Sequence, residues 1–311
     1  MFVLPPLKKD ALRSLLSQSR LPAAPTPSTA ELRSARQWAI AANLLNEQGL
    51  TPEGALVIGK DPYLEATVTD WLIHFHVSSG DRSLWKYFVY EFLSEHSEFS
   101  QVELSESCIH VFQSESPETL RKNAQLILKT YAEKGALARS QFLTPVGKNY
   151  SIGHPDLSNP YTVGYLLAKV WERDFQKQPA VLVDAIVDAE KGLTSVLGIN
   201  KEQLRQQLDV LARHGVIEQR SAKPHLSDTR PPIKTEVELS YQVYRCWETS
   251  IELLEKAYEQ DMATPNRPLI QALGSLLDDD EDVPDFSKFL EWASGLISLE
   301  GGSNTIIRLA S

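Results

Sequence analysis

Apolar residues recur at helical spacing along most of the chain. In STAELRSARQWAIAANLLNEQG (28–49), Leu32, Ala35, Ala39 and Ala42, continuing into Leu45–Leu50, mark one helix face. Ser28 or Thr29 is positioned as its N-cap and Gly49 as its terminator. The following GLTPEGALVIG reads as turn chemistry leading into a short β-like run. In DPYLEATVTDWLIHFHV (61–77), Asp61 can cap a helix and Pro62 suits its first turn, where a missing N–H costs nothing. Leu64, Val68, Trp71, Leu72 and Phe75 then form one amphipathic stripe.

Further along, SLWKYFVYEFLSEH (83–96) is aromatic-rich and helical, and an aromatic stripe at helical spacing belongs to a core more readily than to a base-stacking platform. SPETLRKNAQLILKTYAEKG (116–135) carries Ser116 as cap, Pro117 at the first position and Thr119 three on. Its inward face is Leu120, Ala124, Ile127 and Tyr131, and Arg121, Lys122 and Lys129 lie away from it.

The segment 180–222 predicts a helix, a short helix, a turn at Gly198–Asn200 and a longer helix. Asn200 caps the last, Leu204, Leu208 and Leu211 face inward, and Gly215 ends it. The β-like VIEQRS, the proline-bearing loop Lys223–Glu236 and another strand complete the layout of a winged helix-turn-helix. Its outward face offers Lys201, Arg205, Gln206, Asp209 and Arg213. Arg and Gln can read base edges and Lys can hold phosphates, but Glu202 and Asp209 interrupt the face, and such modules also dock proteins. Residues 239–260 read as a long amphipathic helix, followed by a helix over 285–297 and a strand at 304–310.

One shift of 93 residues superposes Leu50–Gly54 (LTPEG) on Leu143–Gly147 (LTPVG), Pro62 on Pro155, Leu64 on Leu157, Thr69 on Thr162 and Trp38 on Tyr131. Each copy is a helix, a Leu-Thr-Pro-x-Gly turn, a loop and a helix opened by Pro, which predicts an internal duplication. The expected fold is therefore mainly α, with several winged helix-turn-helix-like modules bearing short β wings. The boundaries fall at 1–28 (extension and the Pro-rich linker Arg20–Ser28), 29–112 (first repeat with the aromatic helices), 113–179 (second repeat), 180–240 (third winged helix-turn-helix) and 241–311 (an acidic, helical C-terminal region).

Chemistry changes this picture little. His74 and His76 stand about 200° apart on a helix, so they cannot share one ion and read as packing histidines. No phosphate-binding Gly-x-x-x-x-Gly-Lys-Ser/Thr, dinucleotide fingerprint, His-Glu-x-x-His or Gly-x-Ser-x-Gly motif occurs. The expectation is a protein without catalytic residues, metal or cofactor. Apolar content is 42% of 311 residues, and no apolar run is long enough to span a bilayer. The N-terminus has no secretory pattern, and Cys108 and Cys246 form no disulfide or zinc spacing, so a reducing cytoplasm is expected. The net charge of −10 is concentrated in the last 71 residues, where 13 Asp/Glu face 5 Lys/Arg. Much of that excess is Asp278–Asp285, so a local DNA-reading face elsewhere remains compatible with the overall acidity.

The stretch LTPEGALVIGKDPYLEATVTDWLIHFHV, above all DPYLE, together with TLRKNAQLILKTY (119–131), resembles the bacterial domain-of-unknown-function 4007 family, over roughly residues 30–240. That resemblance implies winged helix-turn-helix content and association with DNA phosphorothioation or anti-phage systems. It also implies a neighbouring enzyme similar to phosphoadenylylsulfate reductase, and it transfers no catalytic residue. The resulting expectation is a non-catalytic accessory protein binding double-stranded DNA through Arg33, Arg36 and Gln37 on the first helix and Lys201, Arg205, Gln206 and Arg213 on the third module. The alternative is an adaptor that docks modification or restriction subunits without touching DNA.

Overall fold

Short polar side chains open most of the helices, because the first turn of a helix leaves N–H groups that only a neighbour can accept. The computed structural model describes residues 4–17, 27–80, 83–132, 136–189, 191–221 and 241–262. All of these residues belong to one compact unit. The acidic run Asp278–Asp285, the expected elements at 285–297 and 304–310, the loop Lys223–Glu236 and most of the Pro-rich linker lie outside the described residues.

The chain begins with helix α1 (Lys9–Ser17) and helix α2 (Thr29–Ala41), which Ser28 opens in a capping box with Glu31. The expected continuation of α2 to Gly49 is not found. Asn43 turns left-handed at φ 56°, and Leu45–Asn46 (β1) pairs antiparallel with Gly49–Leu50 (β2). The β-like run expected after Leu50 is instead helix α3 (Pro52–Lys60). Thr51 caps it by accepting from the Gly54 N–H at 2.9 Å, with Pro52 in the first turn. Asp61 and Pro62 do not open the next helix, α4 (Thr67–Ser79), which starts five residues later. The Asp61 carboxylate instead shapes the intervening loop, accepting from the N–H groups of Glu65 and Ala66, both at 2.9 Å, and from the Thr69 hydroxyl at 2.5 Å. Thr69 also bonds the Tyr258 hydroxyl at 2.8 Å, so the DPYLE segment is tied to the far end of the unit.

Next come α5 (Leu84–Tyr87), a π-helical turn (Phe88–Phe92) and α6 (Leu93–Glu95), then strand β3 (Glu98–Ser100), α7 (Gln101–Val111) and α8 (Pro117–Ala132). Ser116 accepts from the Thr119 N–H at 3.2 Å, as its position suggested. Strands β4 (Thr144–Val146) and β5 (Asn149–Ser151) form a hairpin, followed by α9 (Pro160–Val170), which Asn159 caps and which also ends in a π-helical turn, Trp171–Phe175. Strand β6 (Ala180–Leu182), α10 (Val183–Val187), α11 (Leu193–Leu197) and α12 (Lys201–Arg213) lead to β7 (Ile217–Ser221). Asn200 and Gln203 make a capping box on α12. The segment expected as one helix from 239 divides into strand β8 (Tyr241–Arg245) and helix α13 (Ser250–Met262), because alternate residues of YQVYR complete a sheet whose central position buries Val243.

Each of the two larger sheets has three antiparallel strands. Their orders are β3-β5-β4 and β6-β8-β7, so in both the last strand in sequence lies between the other two. Both are built as strand, helices, then a pair of strands. The 93-residue shift carries the start of α4 onto the start of α9, yet the shared Leu-Thr-Pro-x-Gly segments differ in structure. Leu50–Gly54 opens α3, whereas Leu143–Gly147 enters the β4–β5 hairpin. Gly147, at φ 64°, begins its two-residue turn, and Pro145 sits on the edge strand β4, where its missing N–H breaks no ladder bond.

Helix α4 is at the centre. Every residue from Thr67 to Phe75 is buried, so it is enclosed on all sides rather than packed along the single stripe that its periodicity suggested. His74 and His76 both serve packing. The His74 Nε2–H donates to the Val196 carbonyl at 2.8 Å, which leaves Nδ1 to accept from the Tyr131 hydroxyl at 2.7 Å. His76 Nε2 lies 3.0 Å from the Tyr165 hydroxyl. Burial lowers the pKa of His74 to about 4; burial, with Lys169 nearby, lowers that of His76 to about 3. Asp70, fully buried on the same helix, pairs with Lys9 of α1 and accepts from the Arg139 N–H at 3.2 Å. Burial outweighs these cationic and N–H partners and raises its pKa to about 6.

Candidate nucleic-acid interface

A DNA-facing surface needs Lys and Arg that are exposed, close together and free to exchange their counterions for phosphates. On α2 the requirement is met by Arg33, Arg36 and Gln37. All three are exposed, they share one face at i, i+3 and i+4, and neither arginine forms an ion pair with a described residue. Exposed Ile40 extends the same face.

On α12 all four expected residues, Lys201, Arg205, Gln206 and Arg213, are also exposed, opposite the buried Leu204, Leu208 and Leu211. Their cations, however, are engaged. Lys201 pairs with Asp188 at 2.7 Å, Arg205 with Asp184 at 3.2 Å, and the Arg213 Nε–H donates to the Asp209 carbonyl at 3.4 Å. Asp209 in turn accepts from Gln219 at 3.0 Å. Lys201 holds the Asp188 carboxyl below its ordinary pKa, and Arg220 does the same for Glu218 on β7, while also lying over the Tyr244 ring. The acidic partners Asp184 and Asp188 come from α10 and its end, and sequence reading overlooked them because they lie 13 to 21 residues from the cations they meet.

Helix α2 is remote in sequence from α12. A third exposed cationic strip, on α8, carries Arg121, Lys122, Gln125 and Lys129. The hairpin beside it presents Lys148 at its tip. Among the described residues no group of three or more His, Cys, Asp or Glu side chains could hold a metal ion, and no helix is long and apolar enough to cross a membrane.

The sequence model of the family described as "Protein of unknown function (DUF4007)" matches residues 32–223, more than half of the chain. The chain belongs to the DUF4007 family. No curated protein matches it. Two solved structures share the fold of this DUF4007 chain. A magnesium ion-bound crystal structure of SspB superposes with a TM-score of 0.60 at 14% identity, covering 85% of this chain and 88% of that one. A second SspB crystal structure gives 0.59 at 15% identity with the same coverage. The magnesium is a property of that SspB structure, and at such identity the likeness extends to fold alone.

Proposed function

We propose that this chain is a non-catalytic accessory protein that binds double-stranded DNA in a phosphorothioation-type DNA-modification or anti-phage system, in the cytoplasm, beside an enzyme similar to phosphoadenylylsulfate reductase. In this reading the unit contains several winged helix-turn-helix modules. The observation that carries it is the β6-β8-β7 sheet joined to α10, α11 and α12, an order of short helices and a strand pair that suits a winged helix-turn-helix, with the polar face of α12 exposed. Family membership and the exposed arginines of α2 support it. A salt titration of duplex binding by the full chain, with modified and unmodified DNA, is the test. Affinity should fall steeply as salt rises, since each phosphate contact releases a counterion. Absence of binding to either duplex at low salt refutes the reading.

A second reading is favoured by the acidic partners of Lys201 and Arg205, which make the α12 face charge-neutral and suited to a protein. The chain would then be an adaptor for modification or restriction subunits. Under it, Arg205→Glu leaves DNA retention of the assembled system unchanged, and capture of a neighbouring subunit depends on residues 241–311.

A further inference from the structure

The three helices α2, α8 and α12 start with one motif. Ser28-Thr29-Ala30-Glu31-Leu32-Arg33, Ser116-Pro117-Glu118-Thr119-Leu120-Arg121 and Asn200-Lys201-Glu202-Gln203-Leu204-Arg205 each read as a short polar cap, two residues, a polar residue at the third helical position, then Leu-Arg. The structure gives the match physical content. In all three the cap side chain accepts from the N–H three residues on, at 3.3, 3.2 and 2.8 Å. The residue after the Leu is an exposed Arg in each, and Ala39, Ile127 and Leu211 occupy the same buried position six residues beyond it. A pair of antiparallel strands follows every copy: β1–β2, β4–β5 and β7–β8. The motif recurs at intervals of 88 and 84 residues, whereas a single 93-residue shift misses the third copy. The segment between helix and strands is longer after α8, where it holds the 3-10 turn Ala138–Ser140, so no uniform shift aligns helices and strands together.

The copies differ in what surrounds their cations. Position for position, Arg121, Lys122, Gln125 and Lys129 of α8 match Arg205, Gln206, Asp209 and Arg213 of α12. On α12 the lysine and the first arginine are held by Asp188 and Asp184, and an aspartate replaces the glutamine. On α8, Arg121 and Lys129 are exposed and pair with no described residue, and Lys122 pairs with Glu118 within the helix, at 2.7 Å between two solvent-exposed side chains. Such a pair is weak and readily exchanged for a phosphate. Lys148, at the tip of the adjoining hairpin, is likewise exposed and without an ion-pair partner among the described residues. Glu98 at the base of the same sheet is occupied by the Asn149 amide at 3.0 Å.

We infer that α8 with the β4–β5 hairpin, rather than α12, is the main duplex-binding surface of the central part of this chain: Arg121, Lys122, Lys129 and Lys148 hold backbone phosphates and Gln125 faces the base edges. The inference rests on the DNA-binding reading and specifies its site. Arg121, Lys122, Gln125 and Lys129 lie within about 100° of arc on the helix, at i, i+1, i+4 and i+8, the width of one groove-facing strip. A phosphate approaching α12 must first displace Asp184 and Asp188, whose charges oppose it.

The test uses the full chain and a fluorescent 25-base-pair duplex, with affinity measured across a salt series. The double variant Arg121→Gln/Lys129→Gln should weaken low-salt binding on the order of tenfold or more and flatten the log–log salt dependence by about 1.8, since each lost phosphate contact removes about 0.9. Arg205→Gln should change affinity by less than about threefold. All substituted positions are exposed, and an unchanged thermal midpoint confirms that each variant is folded. Because the substitutions remove charge without reversing it, repulsion cannot mimic the effect. If the wild type binds DNA and the α8 variant keeps its affinity and slope, or if Arg205→Gln is the more damaging, the inference is overturned while the DNA-binding reading stands. If the wild type binds no duplex at low salt, both fall.

Discussion

Gly54 and Gly59 sit in the same nine-residue helix, α3, and should respond to alanine in opposite directions. Alanine is the better helix former by about 1 kcal/mol, so each substitution would be expected to stabilise if only local propensity mattered. At Gly59 nothing lies within 4 Å of an added Cβ, and the position is exposed. Gly59→Ala should therefore be neutral or raise stability by up to about 1 kcal/mol. At Gly54 the added Cβ would stand 2.0 Å from the Leu44 carbonyl oxygen and 2.8 Å from its carbon. These are backbone atoms and cannot rotate away. Their position is pinned from both sides, since the Thr51 N–H donates to that same oxygen at 3.1 Å and the Thr51 hydroxyl donates to the Asn43 carbonyl at 2.5 Å. Relieving the contact means pulling α3 off the β1–β2 hairpin or losing the Thr51 cap. Overpacking of this kind costs about 1–3 kcal/mol and loss of a cap about 1 more, together well above the propensity gain. The net expectation for Gly54→Ala is destabilisation of roughly 2–3 kcal/mol, a fall in thermal midpoint of about 5–10 °C for a unit of this size. Guanidinium and thermal unfolding of both variants beside wild type measure it. A Gly54→Ala protein as stable as the Gly59→Ala protein would refute the close approach of Leu44 and the packing of α3 derived from it.

Other outcomes follow from the buried titratable groups. His74 and His76 bind protons less readily folded than unfolded, so the stability they contribute is complete above pH 6.5 and lost as pH falls toward 4. Asp70, whose folded pKa is raised to about 6, acts in the opposite sense, favouring the fold as pH falls from 6 toward 4. Two histidines outweigh one aspartate, and the denaturant midpoint should correspond to a net loss of about 2–3 kcal/mol between pH 7 and pH 5; an unchanged midpoint would contradict neutral imidazoles at the buried His74 and the half-buried His76. Asp70→Ala leaves the Lys9 ammonium buried without its carboxylate and should cost about 3–5 kcal/mol, with Lys9→Met in the same chain recovering most of it. Lys122→Ala, breaking a pair exposed on both sides, should stay within about 0.5 kcal/mol of wild type in the same unfolding assay. The Cys108 thiol is enclosed and pushed up to about 12, whereas Cys246 is exposed, so a thiol reagent at neutral pH should label one cysteine in the native protein and the second only after unfolding. Rapid labelling of both would place Cys108 outside the core.

What the chain reveals in one dimension is whatever is decided within a few residues. The caps at Ser28, Ser116 and Asn200 were legible because each side chain bonds an N–H three positions on, and the Leu204–Leu208–Leu211 face was legible because a helix repeats on its own scale. The exposure of Arg33, Arg36, Gln37, Lys201, Arg205, Gln206 and Arg213 followed from the same periodicity. Two nearly identical pentapeptides show where that reach ends. LTPEG starts a helix because Leu44 and Asn43 receive its glycine and threonine, and LTPVG enters a hairpin because β5 and then β3 stand beside it. Whether His74 is a ligand or a core residue depended on Tyr131 and Val196, which lie 57 and 122 residues away. Whether Arg205 is available to a phosphate depended on Asp184 across the fold. Local hydrogen bonds and periodicity are written in neighbouring residues, but desolvation and the choice of ionic partner arise only when distant segments exclude water together, and they set the charge each surface can offer.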